Sequence, residues 1–319
     1  IQSQLFDPLR IGLIVALVFT MYRTSAVTGQ AMPLALGVVF VAVMFFYSPL
    51  LSWIVIAAFP FYIAISIAAA PLFKRVALAA IALDDEPARR WLAGAQRGDG
   101  SFGLTAGPVE NDSATGRAAL ALPPGPERES ALDHVVTTPA RKVPAYSVVP
   151  HDPSLAGWGW ASGTAGWVEP TARALLALRL LRPQATGAIE DAVAFLADRE
   201  SVDGGWNYGN RFVYDVALPP FGQTTAVALI GLHGMRTPGS SAGLVSRGVG
   251  ALRRLWPVER GHLTLATSLA AFRLLELADT EEVEDVLERS MDRPVPDVIA
   301  LGWIALASGP GLLELAVTS

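Results

Sequence analysis

Two carboxylates and a group of aromatic rings are the residues of this chain whose types and setting point most directly to chemistry. Glu169 stands in Trp167-Val168-Glu169-Pro170-Thr171-Ala172, at the start of an apolar run, and Asp215 lies in a loop between Tyr214 and Pro220. Near them in sequence are Gly157-Trp158-Gly159-Trp160, then Trp167, Trp206 and Tyr208. Aromatic faces can hold a hydrocarbon and stabilise a cation, and a Gly-Trp-Gly-Trp loop suits a pocket or a contact surface. The same rings can also simply pack between elements. Glu169 has a plainer role open to it too, as a carboxylate at a helix N-terminus before a proline, where the helix dipole favours it. Glu169 and Asp215 are expected to face one cavity, with Trp158, Trp160, Trp167 and Tyr208 as its substrate-binding walls.

Other chemistries are closed by composition. The chain has no cysteine, which removes thiolate nucleophiles, disulfides and every cysteine-containing zinc site. Its four histidines, His134, His151, His233 and His262, are far apart, with no pair at helical ligand spacing. No metal and no cofactor are expected. Of 24 basic and 29 acidic residues, two and one fall in 1–73, so 74–319 carries 22 and 28. An acidic balance of that kind argues against nucleic acid as a partner.

The elements that must position these residues repeat. Trp91-Leu92 with Gln96 is followed by Asp99-Gly100-Ser101-Phe102, and Phe195-Leu196 with Glu200 is followed by Asp203-Gly204-Gly205-Trp206. Each stands at the end of an amphipathic helical run, where glycine supplies a stop and a tight turn. A second shared element, Thr-x-x-Ala-x-x-x-Leu, begins at Thr115, Thr171 and Thr225, and more faintly at Thr267. Its composition is that of a helix buried all round. The unit is an outer amphipathic helix, a turn, and an inner apolar helix, about five times over. An all-α fold follows. Pro123–Ala156, with seven prolines, is expected to replace one outer helix by an insertion, and so long a loop is more often functional than accidental.

These segments resemble the QW repeat of squalene–hopene cyclases, oxidosqualene cyclases and their relatives, whose barrel the protein prenyltransferase β-subunits share. Trp91, Gln96, Phe102, Phe195, Glu200 and Trp206 stand on the motif, with Phe102 replacing its closing Trp and Glu200 its Gln. The resemblance implies an α/α toroid over 74–319. The five pairs counted are fewer than a closed ring, which implies an open arc or one completed by a partner protein or second copy. In class II cyclases a carboxylate at the position of Glu169 protonates the alkene; here Trp167 and Pro170 replace its two helper carboxylates. Protein prenylation by the family's zinc mechanism is excluded by the missing cysteine.

Residues 1–73 are expected to be a membrane anchor. From Ala31 to Phe73 there are 43 residues without a charge, enough for two spans of about 20. They are broken at Ser48-Pro49 into a helical hairpin, Ala31–Tyr47 and Leu50–Phe73. Ile11–Tyr22 is a third span or an interfacial helix. Arg10, Arg23, Lys74 and Arg75 then place the repeat domain in the cytoplasm by the positive-inside rule. Two functions fit: a scaffold or accessory protein, or a toroid that binds a membrane lipid of isoprenoid type. A cyclase using Glu169 as its acid is the alternative.

Overall fold

The computed structural model describes residues 85–103, 112–142, 151–161, 163–213, 215–235, 241–292 and 298–309. The expected spans at 11–22 and 31–73 lie outside the described residues. Among those described, no helix is long and apolar enough to cross a membrane. The chain divides into two units, Ile1–Ile67 and Ala68–Ser319; every described residue belongs to the second.

The described residues of that unit are mainly helical, as expected, with one short pair of antiparallel strands among them. Outer helices α1 (Glu86–Gly94), α3 (Pro126–Thr137), α5 (Thr186–Asp198), α7 (Ser241–Leu255) and α9 (Thr280–Ser290) alternate with inner helices. The inner ones are α2 (Asp112–Ala121), α4 (Val168–Leu181), α6 (Gly222–Leu232), α8 (His262–Leu274) and α10 (Val298–Ser308). Each of α2, α4, α6 and α8 packs on the next inner helix in order and on the outer helix that follows it. Among the described residues α2 and α10, the ends of this inner layer, do not pack closely on each other.

Apolar periodicity explains which helix goes where. α1 buries Ala88 and Leu92 and leaves Arg90 in solvent; α9 buries Val283 and Leu287 behind an acidic face. One apolar stripe means one buried side. In α4 every residue from Val168 to Leu178 is buried, and in α6 every residue but Gln223. Helices without a polar face have to be covered on all sides. A Cβ at Gly231 would fall 2.6 Å from the carbonyl oxygen of Ala172, so glycine is what lets α6 approach α4 this closely.

The proline-rich stretch 123–156 differs from expectation. It contains a regular outer helix, α3, because Pro123 and Pro124 precede it and Pro126 opens it. A proline in the first turn loses only an N–H that has no helical partner. Among the described residues between α3 and α4, 138–142, 151–161 and 163–167, none is helical.

Candidate functional site

The N-terminal ends of the inner helices share one device. Thr115, Thr171 and Thr225 each turn a hydroxyl onto the backbone of an aromatic residue in the preceding turn. Thr115 Oγ1 accepts from the Phe102 N–H at 3.0 Å. Thr171 Oγ1 accepts from Trp158 N–H at 2.8 Å, and Thr225 Oγ1 from Trp206 N–H at 3.0 Å. Thr225 also donates back to the Trp206 carbonyl at 3.2 Å. The three aromatics are buried, so an unpaired N–H there would cost about 1–3 kcal/mol. Thr267 lacks this role; its hydroxyl donates to Leu263 and Thr264 in its own helix.

The tryptophans do more than the phenylalanine. Trp206 Nε1 donates to the Leu196 carbonyl at 2.7 Å, and Trp158 Nε1 to the Val135 carbonyl at 2.9 Å. Both acceptors lie in the last turns of outer helices, where carbonyls have no helical partner. Trp158, expected among the cavity aromatics, is therefore the counterpart of Trp206 and packs between helices. An aromatic 13 residues before Thr171, as Phe102 is before Thr115, is the sequence signal that identifies it.

The turns also tie successive outer helices together. Gln96 Nε2 donates to the Gly100 and Glu127 carbonyls at 3.1 and 2.8 Å, reaching from the end of α1 to the start of α3. Glu200 takes two bonds from Arg247 of α7, at 2.8 and 2.7 Å. Gly100 and Gly204 have φ of +85° and +79° and press on the backbones of Ser130 and Arg247. A side chain at either would meet a carbonyl, and L-residues rarely adopt that φ. Phe195 is buried beneath Gly157 and Gly166, with the Arg199 guanidinium 4.5 Å over its ring. Trp91, at the matching place in α1, is 43 % exposed.

Glu169 enters α4 in its first turn after Trp167, the N-cap. It is 5 % exposed and forms an ion pair with Arg173, one turn on and also buried. The Arg173 guanidinium lies 5.9 Å from the Trp160 ring. Burial pushes the Arg173 pKa well down, and the charge of Arg117 on α2 adds to this. Arg117, buried as well, is lowered by burial to about 10, which leaves it charged at neutral pH. The interior beside Glu169 therefore holds two guanidiniums and one carboxylate.

Asp215 is placed differently. It is exposed in the turn joining β1 (Phe212–Val213) to β2 (Val216–Ala217), at φ +62°, a conformation aspartate tolerates in hairpins. Glu169 is interior and Asp215 is at the surface, and no described hydrogen bond or ion pair joins them. Tyr208, 43 % exposed, sets its ring 5.2 Å from Phe221, while its carbonyl accepts from the Val168 N–H at 3.1 Å. Trp167 lines a cavity of about 100 Å³ between the irregular segment before α4 and the end of α5. A wider groove of about 720 Å³ opens at the opposite ends of the inner helices. Its walls include Leu232, His233, Met235, Val249 and Leu275.

No family model matches the chain, and no curated protein matches it.

Proposed function

We propose that this chain is a membrane-anchored repeat protein, built like the terpene-cyclase and prenyltransferase toroids, that acts as an accessory or scaffold subunit and not as an alkene-protonating cyclase. The Glu169–Arg173 pair carries this reading. A catalytic acid must hold a proton before it can deliver one, and a guanidinium one turn away favours the ionised carboxylate. The residues that would assist it are Trp167 and Pro170, which share no charge. The recurring aromatic–Thr turns support the resemblance in build, and the uncharged run 31–73 supports the anchor, with the helical unit on the cytoplasmic side. The separated ends of the inner layer, α2 and α10, suit a partner protein or a second copy.

Binding of an isoprenoid or other membrane lipid is the second reading. The groove of about 720 Å³, with mostly apolar walls that also carry His233, Ser246 and Arg253, favours it, since ligand pockets typically span about 300–1,000 Å³.

The test is a turnover assay on the full chain in liposomes, offered squalene and a geranylgeranyl diphosphate, with products read by mass spectrometry. No cyclised product is expected. Cyclisation by the wild type that is lost in folded Glu169→Gln would move Glu169 from ion-pair partner to catalyst and sink the accessory reading.

A further inference from the structure

The cavity of about 100 Å³ beside Trp167 is lined by two arginines and by two neutral side chains that can donate. Arg141 and His151 come from the segment before α4, Arg199 from the end of α5, and Asn210 from the loop after Trp206. None of the described residues lining it is acidic. The carboxylates close by are already engaged. Asp198 pairs with Arg199 and accepts the Asp152 backbone N–H at 3.2 Å. Asp152 accepts from the Ser154 N–H and hydroxyl at 2.8 and 2.6 Å. Arg199 is itself 4 % exposed and also donates to the Asp152 carbonyl at 3.2 Å, so its position is locked and its charge is partly offset by Asp198.

On the wall His151 leaves a nitrogen unsatisfied, and so does Arg211, outside the lining but near enough for its charge to act on His151. The atoms are His151 Nδ1 and Arg211 Nε, both buried with no hydrogen-bond partner. Buried polar nitrogens without partners are uncommon in folded proteins and mark a missing ligand or water. The cavity holds more than one water's share of about 30 Å³, and it is too small for a whole drug-sized molecule. One ionic group fits.

We propose that this cavity binds the phosphate group of a ligand, with Arg141, His151 and Asn210 donating to its oxygens and the Arg199 charge behind them. The donors stand on three separate chain segments that meet at the cavity wall. A tetrahedral group with three or more free oxygens answers that arrangement, whereas a planar carboxylate presents two oxygens in one plane. Phosphate bound here ties the segment before α4 to α5 and to the loop after Trp206. The site stands on the cavity alone and is independent of whether the wide groove holds lipid or the molecule is a scaffold.

The experiment uses the full chain in nonionic detergent. In one arm inorganic phosphate is titrated calorimetrically, with acetate as the planar competitor. In the other, micelles carrying phosphatidate are compared with micelles carrying diacylglycerol. Arg141 is exposed and only its backbone is hydrogen-bonded, to the Thr164 carbonyl at 3.0 Å, so Arg141→Gln keeps the fold, as circular dichroism will show. Saturable phosphate binding is expected, weakened about tenfold or more by Arg141→Gln, in line with loss of a charged hydrogen bond. Arg90→Gln, on the exposed face of α1, leaves it unchanged. Binding of free phosphate identifies a soluble ligand, and binding seen with phosphatidate micelles but not with diacylglycerol micelles identifies a lipid head group; both support the site. Absence of saturable binding in both arms, equal binding by folded Arg141→Gln, or acetate binding as tight as phosphate overturns it. Equal binding of phosphatidate and diacylglycerol micelles without binding of free phosphate also overturns it, because the groove alone then accounts for the lipid.

Discussion

The turns before α4 and α6 are built on the same anchor and extended in opposite directions. In both, a buried tryptophan holds an outer helix through its indole and an inner helix through a threonine hydroxyl. Trp206 lies 10 residues from its carbonyl acceptor and 19 from its threonine, whereas Trp158 lies 23 and 13 away. Extra residues enter after the anchor in one case, as the β1–β2 hairpin, and before it in the other, as the segment carrying Arg141 and His151. The anchor is constant because it closes buried hydrogen bonds that have no alternative partner. The chain on either side is free to lengthen, since each doubling of a loop costs only about 0.6 kcal/mol. New features therefore collect beside the anchor and leave its geometry alone.

The strongest way to break this comparison is to remove the two rings. Trp158→Ala and Trp206→Ala should each destabilise the helical unit by about 3–5 kcal/mol in urea unfolding, as large-to-small changes at fully buried aromatics do. A Trp158→Ala protein within about 1 kcal/mol of wild type would separate the two turns and return Trp158 to a pocket role. The threonines come next. Thr171→Val and Thr225→Val each leave a buried N–H without its acceptor and should cost about 1–3 kcal/mol. Thr267→Val leaves no N–H stranded, and its loss should be the smallest of the three; an equal loss would show that the hydroxyls act inside their helices and not on the turns.

A pH titration sharpens the comparison on a smaller scale. His151 is held below its usual 6.5 by burial and by Arg199, and His233 by burial and by Arg179. The folded state resists a proton that the unfolded chain accepts near the usual histidine value. Stability contributed by these neutral rings is thus present above about pH 6.5 and lost as the pH falls below it. The melting temperature should decline from about pH 7 to pH 5, with a shallower slope in the His151→Gln, His233→Gln double variant; identical slopes would remove both rings from the explanation. The smallest effect is expected at Glu200→Gln. Its partner Arg247 is 57 % exposed along its side chain, and such pairs are worth about 0–1 kcal/mol. A loss above about 2 kcal/mol would make the α5–α7 tie as important as the tryptophan anchors.

Much of the helical order is written locally. The runs Thr171–Leu178, apolar but for Arg173, and Thr225–Leu232 favour an interior position, and the one-sided pattern of α1 and α9 favours the outside. The Asp-Gly turns after α1 and α5 are legible for the same reason, because only glycine takes that φ against a neighbouring backbone. The seven prolines of 123–156 misled in one respect: a proline breaks a helix only beyond its first turn, and Pro126 stands at the start of α3. Long-range pairing was decided by the tertiary structure. That Trp158 reaches the Val135 carbonyl depends on where α3 ends in space, and 23 intervening residues conceal it. Glu169 reads in sequence as a helix-start carboxylate, yet its ion pair with buried Arg173, itself influenced by Arg117, is set by the packing of α2 on α4. Asp215 and Glu169, equally acidic on paper, part company because one lies at the tip of a two-stranded turn and the other on a helix covered on every side. Arg141, His151, Arg199 and Asn210 carry no motif at all. They meet because three loops end at one place, and convergence of that kind leaves no periodicity along the chain.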